Sequence, residues 1–388
     1  MIIGIPKESF PGERRVALVP VSIPPLLKAK CEVIVQTGAG ISAGYLDKAY
    51  AEKGAKLVPT RAEVFGAADI VIQVLCHGAN DRTGREDLRL MRPGQVLIGF
   101  LRPLDSLETV QEIAAKGVMA FAIELIPRIT RSQSMDALSA MATVCGYKAV
   151  LLAADALPRF FPMLTTAAGT ITPARVLVLG GGVAGLQAVA TARRLGAVAS
   201  AYDVRPAVKE QVHSLGGRFL ELPLETGQAE DTRGYARAQD ETFLRRQREL
   251  LTRAIAESDA VICTAIVPGK QAPLLITADM VARMVPGSVI VDLAAERGGN
   301  CELTRLNEVV IEHGVTIAGC FNLASSVPYH ASQMYSRNLT AFVLNLLKDG
   351  KLNLDLEDEI ARETLVARDG KVVHPLLTQA PVQAQPAS

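Results

Sequence analysis

A glycine-rich turn between an apolar segment and a helical pattern is the part of the sequence best suited to chemistry. Residues 176–179 are apolar, and Gly180, Gly182 and Gly185 follow them in the spacing GxGxxG. Such a turn is tight at its first glycine, admits a phosphate to backbone N–H groups at the second, and packs a helix on its strand at the third. The helix start offers N–H groups and a positive dipole end to the same anion. The sequence therefore predicts a dinucleotide site.

An acidic residue ends the next apolar run, residues 198–203. A carboxylate at Asp203 would accept hydrogen bonds from a ribose 2′-hydroxyl and would repel a 2′-phosphate, which favours NAD over NADP. The positive charge of Arg205 would instead favour a 2′-phosphate and therefore NADP. A glycine turn that serves only packing would not account for Asp203. The candidate cofactor-binding positions are Gly180, Gly182, Val183, Ala184, Gly185, Asp203, Val204, Arg205, Tyr235, Thr264 and Ala265.

A second polar group lies where the first predicted domain ends and a long helical stretch begins. It consists of Arg128, Gln133, Asp136 and Ser139. The last three are spaced by three, so on a helical N-terminus they would fall close to one face. In a cleft between domains this set would suit a nicotinamide carboxamide, its ribose and a phosphate, and it offers no proton-transfer group near neutral pH. A capping arrangement, with Ser132 or Ser134 as N-cap and Asp136 in the first turn, explains the same residues equally well.

Residues 225–247 are polar and highly charged, with Tyr235 near the middle. One interpretation is a solvated surface loop that ends in a charged helix. The other is a mobile loop that closes over a nucleotide or a partner, with Tyr235 at its tip.

The composition excludes several classes of protein. With 41 basic and 40 acidic residues, the chain has no basic excess that would suggest nucleic-acid binding. The six cysteines and five histidines are scattered without metal-like spacing, so we expect no metal site and reduced thiols in a cytosolic protein. The apolar runs are of strand length, shorter than the ~18 residues of a membrane span.

The 388 residues suggest two domains rather than one. Short apolar runs alternate with helical patterns in both halves, which predicts α/β domains that each contain a parallel sheet covered by helices. The predicted long helices are 134–157, interrupted only by Gly146, and 331–348. The predicted divisions are 1–126 plus 331–378 for the N-terminal domain, 140–330 for the NAD(H)-binding domain, and 379–388 for a disordered tail.

The predicted strands follow the apolar runs. In the first domain they are 2–5, 33–36, 57–58, 68–75, 95–100 and 118–123. In the second they are 175–179, 198–203, 218–220, 260–264, 288–293 and 316–318. Two further strand-like runs, 364–367 and 371–373, are predicted to return to the first domain.

Several segments together resemble one known family over nearly the whole chain. They are PRITRSQSMDALS, CGYKAV, LTTAAGT, RVLVLGGGVAGLQA, AYDVR, IVPGKQAPLLIT and VDLAAERGGNCE. The chain is similar in them to the soluble NAD(H)-binding component (alpha-1 subunit, domain I) of proton-translocating NAD(P)+ transhydrogenase. The most specific match is the loop that carries Arg128, Gln133, Asp136 and Ser139.

The resemblance implies a fold of two Rossmann-like, doubly wound parallel-sheet α/β domains joined by long helices, with a cofactor cleft between them. It also implies a homodimer that binds NAD(H) and passes hydride from NADH to NADP+ on a partner component, which binds NADP(H). Gln133, Asp136 and Ser139 would then orient the nicotinamide and its ribose, Arg128 would contact the carboxamide or a phosphate, and Tyr235 would close the mobile loop. Separate membrane subunits would couple the reaction to proton translocation. The chain would be cytoplasmic, peripheral at the inner face of the cytoplasmic membrane.

Two positions depart from the family pattern. Relatives carry Gln and Asn in the run after Ser139, where this chain has Met141 and Thr143. Either these side chains alter nicotinamide binding or partner docking, or they only pack a spacer helix. Lys270 and Arg297 also stay open between nucleotide contact and solvated surface.

Two other functions compete with this interpretation. An alanine dehydrogenase shares the opening with Glu13, Arg14 and Arg15, but it needs a lysine and a histidine for proton transfer. The corresponding segments, 70–75 and 101–103, contain neither, and Glu296 stands where that family has its active-site aspartate. His77 is a weak substitute base. A non-catalytic NAD-binding module would have the same site, so only a partner and turnover separate it from the transhydrogenase component.

Overall fold

A computed structural model of the chain describes residues 1–221, 241–267 and 269–378. The chain divides into two compact units, of which the first is built from Met1–Met141 and Ser325–Ser388 and the second from Ala142–Ala324. The C-terminal segment of the chain thus belongs to the unit that the N-terminal segment begins. Tyr235, most of the predicted loop 225–247 and the predicted tail 379–388 lie outside the described residues.

The N-terminal region of the chain alternates strands and helices. Its strands are β1 (Ile2–Ile5), β2 (Glu32–Gln36), β3 (Lys56–Val58), β4 (Ile70–Leu75), β5 (Val96–Phe100) and β6 (Met119–Ala122). Its helices are α1 (Ile23–Lys28), α2 (Asp47–Glu52), α3 (Arg61–Ala67), α4 (Gly84–Asp87) and α5 (Leu107–Ala115). The strand ends agree with the sequence prediction within two residues.

The middle and C-terminal regions continue this alternation. The helices are α6 (Ala137–Ala156), α7 (Val183–Arg194), α8 (Val208–Ser214), α9 (Glu241–Ala256), α10 (Ala278–Val281), α11 (Pro328–Leu346), α12 (Glu359–Thr364) and α13 (Pro375–Thr378). The strands of the second unit are β7 (Leu164–Thr166), β8 (Gly169–Ile171), β9 (Arg175–Leu179), β10 (Val198–Tyr202), β11 (Arg218–Phe219), β12 (Ala260–Cys263), β13 (Val289–Asp292), β14 (Val309–Glu312) and β15 (Val315–Gly319). Those of the C-terminal region are β16 (Leu347–Lys348), β17 (Lys351–Leu352), β18 (Leu365–Arg368) and β19 (Lys371–Val372). The sequence patterns did not indicate β7, β8, β14 or the β16–β17 hairpin.

The sheet of the first unit has the strand order β19-β18-β6-β5-β4-β1-β2-β3. Its strands from β6 to β3 are parallel, whereas β18 runs antiparallel to β6 and to β19. Because parallel strands are covered by helices on both faces, central strands such as β4 are buried at every position. One face packs on α3 and α5 through Phe65 and Val110. The other carries Phe121, which meets Phe342 of α11 edge-on at 5.7 Å between ring centroids.

The sheet of the second unit has the order β11-β10-β9-β12-β13-β15-β14, and its described strand pairs are parallel except β14–β15. Alternate side chains of β9 point to opposite faces. Val176 and Val178 join a core cluster with residues of α7, while Leu177 and Leu179 join a second cluster with residues of α9. The sheet is therefore covered on both faces. The predicted class, Rossmann-like parallel-sheet α/β domains, is confirmed.

The strand order reverses at β9, because β10 lies on one side of it and β12 lies on the other. Open α/β sheets bind ligands beyond the carboxyl ends of the strands at such a reversal of strand order. Gly180 follows β9 and Thr264 follows β12, so both candidate residues lie at this point of the sheet.

The predicted helix 134–157 is wrong at its start. Thr130–Met135 form a separate 3₁₀ helix, and α6 begins only at Ala137. The helix then continues through Gly146, where a Cβ would lie 2.0 Å from the carbonyl oxygen of Ala184 on α7. Glycine is therefore required at this position because the backbones of α6 and α7 approach each other closely.

Helix α6 is long and apolar enough, by length and composition, to cross a membrane, and it is the one such helix in the described residues. The sequence patterns indicated no run of this length. Ala149, Val150 and Ala153 of α6 are fully buried in the core of the second unit. Packing in that core accounts for the apolar character of this stretch of the helix.

Candidate functional site

The glycine turn after β9 has the geometry that a tight strand–helix connection requires. Gly180 has φ +100°, in the left-handed region where glycine is favoured. A Cβ on Gly185 would lie 1.8 Å from the carbonyl oxygen of Gly180, so only glycine allows α7 to pack this closely on the turn. Gly182 differs, because a Cβ there would meet no atom within 4 Å. The turn therefore leaves open space at Gly182, beside the N-terminus of α7.

Helix α7 begins directly at this open space. Gly182 is its N-cap, and its carbonyl accepts the N–H of Leu186 at 2.8 Å. Val183 is exposed and Ala184 is partly exposed in the first turn. The N–H groups of this turn have no partner earlier in the helix, so they and the helix dipole can receive an anion.

Asp203, just after β10, is saturated with hydrogen bonds in the described structure. Its Oδ2 accepts the N–H of Gly181 at 2.6 Å and Nη2 of Arg205 at 2.9 Å. Its Oδ1 accepts the backbone N–H and Nε of Arg205, each at 2.9 Å. The Arg205 guanidinium thus lies on the carboxylate that was predicted to bind a ribose. A ribose diol could reach Asp203 only where the guanidinium gives up its hydrogen bonds.

A buried contact below this carboxylate was missed from sequence. Gln247 of α9 donates Nε2 to the hydroxyl of Tyr202 at 3.0 Å, and both side chains are buried. Burial raises the pKa of Tyr202 to about 12, so the phenol stays protonated. Tyr202 immediately precedes Asp203, and this bond joins the end of β10 to the helix that follows the undescribed segment. The two residues are 45 positions apart, so no local pattern indicated the pair.

Thr264 and Ala265 after β12 are held against the glycine turn and a neighbouring loop. The Thr264 hydroxyl donates to the carbonyl oxygen of Gly180 at 2.8 Å. Ala265 is bound through both backbone groups by Asn300, whose Oδ1 accepts its N–H at 3.0 Å and whose Nδ2 donates to its carbonyl at 2.9 Å. Asn300 Nδ2 also donates to the carbonyl of Pro273 at 2.8 Å. The fully buried Asn300 therefore joins the loops that follow β12 and β13.

Asp292, the last residue of β13, fixes the loop that carries Asn300. Its carboxylate accepts the N–H groups of Ala294 at 2.9 Å and Asn300 at 2.8 Å, together with the Thr304 hydroxyl at 2.8 Å. Burial raises the pKa of Asp292, although these hydrogen bonds oppose the increase. The segment takes part in the family resemblance, but no local sequence pattern marks Asp292 or Asn300 as a structural residue.

The second candidate group belongs to the first unit. Arg128 precedes the 3₁₀ helix Thr130–Met135, Gln133 lies in it, Asp136 lies between it and α6, and Ser139 lies in the first turn of α6. Arg128 and Gln133 are exposed, while Asp136 and Ser139 are partly exposed. The three residues predicted to share a helical face are therefore distributed over two helices and the junction between them.

Asp136 is itself the N-cap of α6, which corrects the alternative that Ser132 or Ser134 plays this role. Its Oδ1 accepts the N–H of Ser139 at 2.8 Å, and its backbone carbonyl accepts the N–H of Ala140 at 3.1 Å. Ser132 instead donates its hydroxyl to the carbonyls of Pro127 and Ile129 and closes the preceding loop. The capping alternative correctly predicted that a side chain caps a helix here, but it named the wrong residue.

Two buried carboxyl groups lie near the carboxyl ends of the strands of the first unit. Glu8 accepts the N–H groups of Val74 at 2.7 Å and Leu75 at 3.2 Å, and burial, with the charge of Glu13, raises its pKa to about 7. Glu124 accepts the N–H of Leu101 at 2.8 Å, and burial raises its pKa to about 7. Both bind strand ends to neighbouring loops.

The residues weighed for amino-acid dehydrogenation have structural partners. His77 Nε2 lies 2.6 Å from a carboxylate oxygen of Glu112, and the side chain is 7% exposed. Glu296 accepts the N–H of Asn322 at 3.0 Å. In the described ranges no group of three or more His, Cys, Asp or Glu residues could hold a metal ion.

The four residues whose roles the sequence left open differ in their exposure and contacts. Met141 is buried in α6, and Thr143 is partly exposed. Lys270 is exposed, and the carbonyl oxygen of Arg297 accepts the N–H of Ala272 at 2.8 Å.

Comparison with known families identifies the chain over nearly its whole length. The model described as "Alanine dehydrogenase/PNT, N-terminal domain" matches residues 4–145, and "Alanine dehydrogenase/PNT, C-terminal domain" matches residues 149–375. The chain belongs to this family. The two matches together cover almost all of the described residues, including the glycine turn and the loop 127–139.

Members of the family differ in their similarity to this chain. A Rhodospirillum rubrum protein, named as the first portion of NAD(P) transhydrogenase subunit alpha, is 46% identical over 381 residues, which are 97% of this chain and 99% of that protein. A crystal structure of transhydrogenase from Sinorhizobium meliloti is 40% identical, with a TM-score of 0.86 over 96% of this chain and all of that one. Alanine dehydrogenase from Bacillus subtilis is 28% identical, over 96% of this chain and 93% of that protein. Within the family, the chain therefore groups with the transhydrogenase subunits.

Proposed function

We propose that the chain is the NAD(H)-binding component of an NAD(P) transhydrogenase. The observation that carries the proposal is a dinucleotide-type turn, at the reversal of strand order, in a chain whose loop 127–139 contains no lysine or histidine. Transfer of hydride between two nicotinamides needs proximity and orientation, not an acid or a base. An amino-acid dehydrogenase would need a proton-transfer group, and His77 is held by Glu112.

The reaction moves one hydride from the dihydronicotinamide of NADH on this chain to the nicotinamide of NADP+ on a partner, so the first is oxidised, the second is reduced, and no proton is exchanged. The N–H groups at the start of α7 bind the pyrophosphate above the open space at Gly182. Asp203 binds the adenosine ribose, with Val204, Arg205, Thr264 and Ala265 beside it. Arg128, Gln133, Asp136 and Ser139 orient the nicotinamide end. Tyr235, which we also assign to the dinucleotide site, lies outside the described residues.

The residues present fit an NAD-type dinucleotide better than an NADP-type one. A 2′-phosphate at Asp203 would meet a carboxylate, whereas a 2′-hydroxyl can donate to it. Arg205 is already paired with that carboxylate, in a nearly buried ion pair at 2.9 Å. A ribose hydroxyl that binds Asp203 would displace part of this pairing, so the argument for NAD rests on the carboxylate and not on Arg205. The preference for NAD(H) on this chain follows, with NADP(H) bound by the partner.

The same proposal includes the partners. They are an NADP(H)-binding subunit and membrane subunits that couple hydride transfer to proton translocation. A homodimer of this chain, cytoplasmic and peripheral at the inner face of the cytoplasmic membrane, would present its nicotinamide to them. The name of the Rhodospirillum rubrum relative, the first portion of a subunit alpha, supports a system divided among several polypeptides.

The test mixes the purified chain with a soluble NADP(H)-binding transhydrogenase component and follows hydride transfer from NADH to an NADP+ analogue. NADH-dependent amination of pyruvate is measured in parallel. We expect transfer only when both proteins are present, and at least tenfold slower transfer with Gln133→Asn. Exposed Gln133 makes no side-chain hydrogen bond within the described residues, so this change should leave the fold intact. Alanine formation without a partner would replace the proposal by a dehydrogenase, and tight NADH binding without any transfer would replace it by a binding module.

A further inference from the structure

Side-chain hydrogen bonds connect the 3₁₀ helix Thr130–Met135 to the C-terminal region of the chain. This helix carries Gln133 and is followed by Asp136. Arg131 donates through Nη2 to Oδ1 of Asp358 and through Nη1 to Oδ2 of the same carboxylate at 3.4 Å. Nη1 also donates to Oδ1 of Asn345 at 3.3 Å. Asn345 closes the triangle, because its Nδ2 donates to Oδ2 of Asp358 at 2.9 Å. We call these three residues the anchor triad.

Asp358 is well suited to a fixed role in the anchor triad. It is the N-cap of α12, and its Oδ1 accepts the N–H of Ile360 at 3.0 Å. Its side chain is 16% exposed. Burial alone would raise its pKa, but the hydrogen bonds from Arg131 and Asn345 outweigh burial and lower it. The carboxylate is therefore charged, immobilised by a helix start and aimed at Arg131.

The attached helix needs such support. A single short 3₁₀ helix has poorer hydrogen-bond geometry than an α-helix and is marginal by itself. Its internal closure depends on Ser132, and Asn338 of α11 adds a hydrogen bond to the carbonyl of Ser134 at 2.8 Å. The side chain of Gln133 is exposed, so the backbone of this helix sets where its amide points.

We propose that Arg131, Asn345 and Asp358 are positioning residues for hydride transfer. They act by holding in place the 3₁₀ helix Thr130–Met135 and Asp136 after it, which orient the nicotinamide. The inference rests on the proposed function. None of the three residues is among those assigned above to the dinucleotide. Because reacting groups must be placed within fractions of an ångström, a displacement of about 1 Å at Gln133 or Asp136 can cost about a hundredfold in rate.

The experiment compares Arg131→Met, Arg131→Lys and Asp358→Asn with the exposed controls Arg89→Met and Asp355→Asn. For each protein we measure single-turnover hydride transfer with the NADP(H)-binding component, the Kd of NADH, the thermal midpoint and amide exchange of residues 130–136 without nucleotide. Arg131→Met should slow transfer by tenfold or more, change the Kd less than threefold and speed exchange in the loop. Arg131→Lys should recover some of the rate, because an ammonium can still reach the carboxylate.

The double variant Arg131→Met/Asp358→Asn provides the decisive comparison. If the two residues act through one contact, the double variant transfers hydride no more slowly than the slower single variant. The inference would be overturned if the rate reductions of the two single variants multiplied in the double variant. It would also be overturned if the variants lost thermal stability but transferred hydride at the wild-type rate. In both cases hydride transfer by the wild-type protein would leave the proposed function intact. A wild-type protein that does not transfer hydride to the partner would overturn both.

Discussion

The carboxylate of Asp136 holds Ser139 twice, through the backbone N–H at 2.8 Å and through the side-chain hydroxyl at 2.6 Å. The first bond satisfies an amide at the start of α6, and the second uses the other carboxylate oxygen. Both residues were assigned to the nicotinamide from sequence. In the structure they also begin a long helix, so stability and cofactor orientation depend on the same side chain.

Substitutions at Asp136 should separate these two effects. Asp136→Ala removes the cap and should lower the free energy of unfolding by about 1 kcal/mol. It should also slow hydride transfer. Asp136→Asn keeps the Oδ1 acceptor, so we expect a stability change below about 0.5 kcal/mol but a rate reduced at least tenfold. Urea unfolding and single-turnover transfer measure the two quantities, with Asp81→Asn as an exposed control. Full activity in Asp136→Asn would restrict this residue to capping.

Two glycines of the same turn should respond differently to alanine. Gly182→Ala adds a Cβ to open space at φ −74°, so the fold should be unchanged while NADH binds at least tenfold more weakly, because the methyl group enters the space left for the pyrophosphate. Gly185→Ala puts the Cβ 1.8 Å from the Gly180 carbonyl and should destabilise the second unit by about 3 kcal/mol.

NADH fluorescence titration and thermal unfolding distinguish the two variants. An NADH Kd that is unchanged in Gly182→Ala would mean that the phosphates do not approach the start of α7.

Removal of the Asn300 side chain should loosen the loops after β12 and β13. Asn300→Ala leaves both backbone groups of Ala265 and the carbonyl of Pro273 without this partner, at a cost of about 2–4 kcal/mol. We expect faster amide exchange in residues 264–276, measured by mass spectrometry. Asn307→Asp at an exposed position of the same unit is the control. Unchanged exchange would show that the loops are held by other contacts.

The carboxyl of Glu124 predicts an unusual dependence of stability on pH. Oε1 accepts the N–H of Leu101, and Oε2 is buried without a partner in the described structure although the residue as a whole is partly exposed. Since burial raises the folded pKa from 4.5 to about 7, the folded state binds the proton more tightly than the unfolded state. The free energy of unfolding should therefore decrease as pH rises from about 4.5 to about 7, by at most about 3 kcal/mol for this group.

Glu124→Gln keeps an oxygen acceptor and cannot ionise, so its stability should vary less over this range and should exceed that of the wild type above pH 7. Urea unfolding at pH 5, 6, 7 and 8 tests this, with Glu52→Gln as the exposed control. A wild-type stability that rises steadily from pH 5 to pH 7, unchanged in Glu124→Gln, would contradict the assignment.

Local patterns in the sequence were sufficient for the sheet and the turn. The apolar run of β9, the glycines after it and the acidic end of β10 are close in sequence, and their spacing reflects backbone geometry. The antiparallel strand β18 and the edge strand β14 were not recognised as such, because the direction of a short strand depends on its partner, and β18 pairs with a strand more than two hundred residues away.

The supports of the site could not be predicted in the same way. Asn300 binds Ala265 and Pro273, and Arg131 binds Asp358, across long separations in sequence. An asparagine in a glycine-rich loop or an arginine beside a serine has no local signature for such a bond. Asp136 illustrates an intermediate case, because the sequence indicated a helix start and a polar group there but did not determine which residue caps the helix.

The antiparallel pairing of β18 with β6 has a consequence for synthesis of the chain. The second unit is continuous in sequence, so all of its residues leave the ribosome before the last strand of the first unit is made. Until then the edge of the earlier sheet at β6 remains unpaired, and an unpaired edge is a template for aggregation. A nascent chain released after residue 324 but before residue 365 would contain all of the second unit together with an unfinished first one, and it would be a natural client for chaperones.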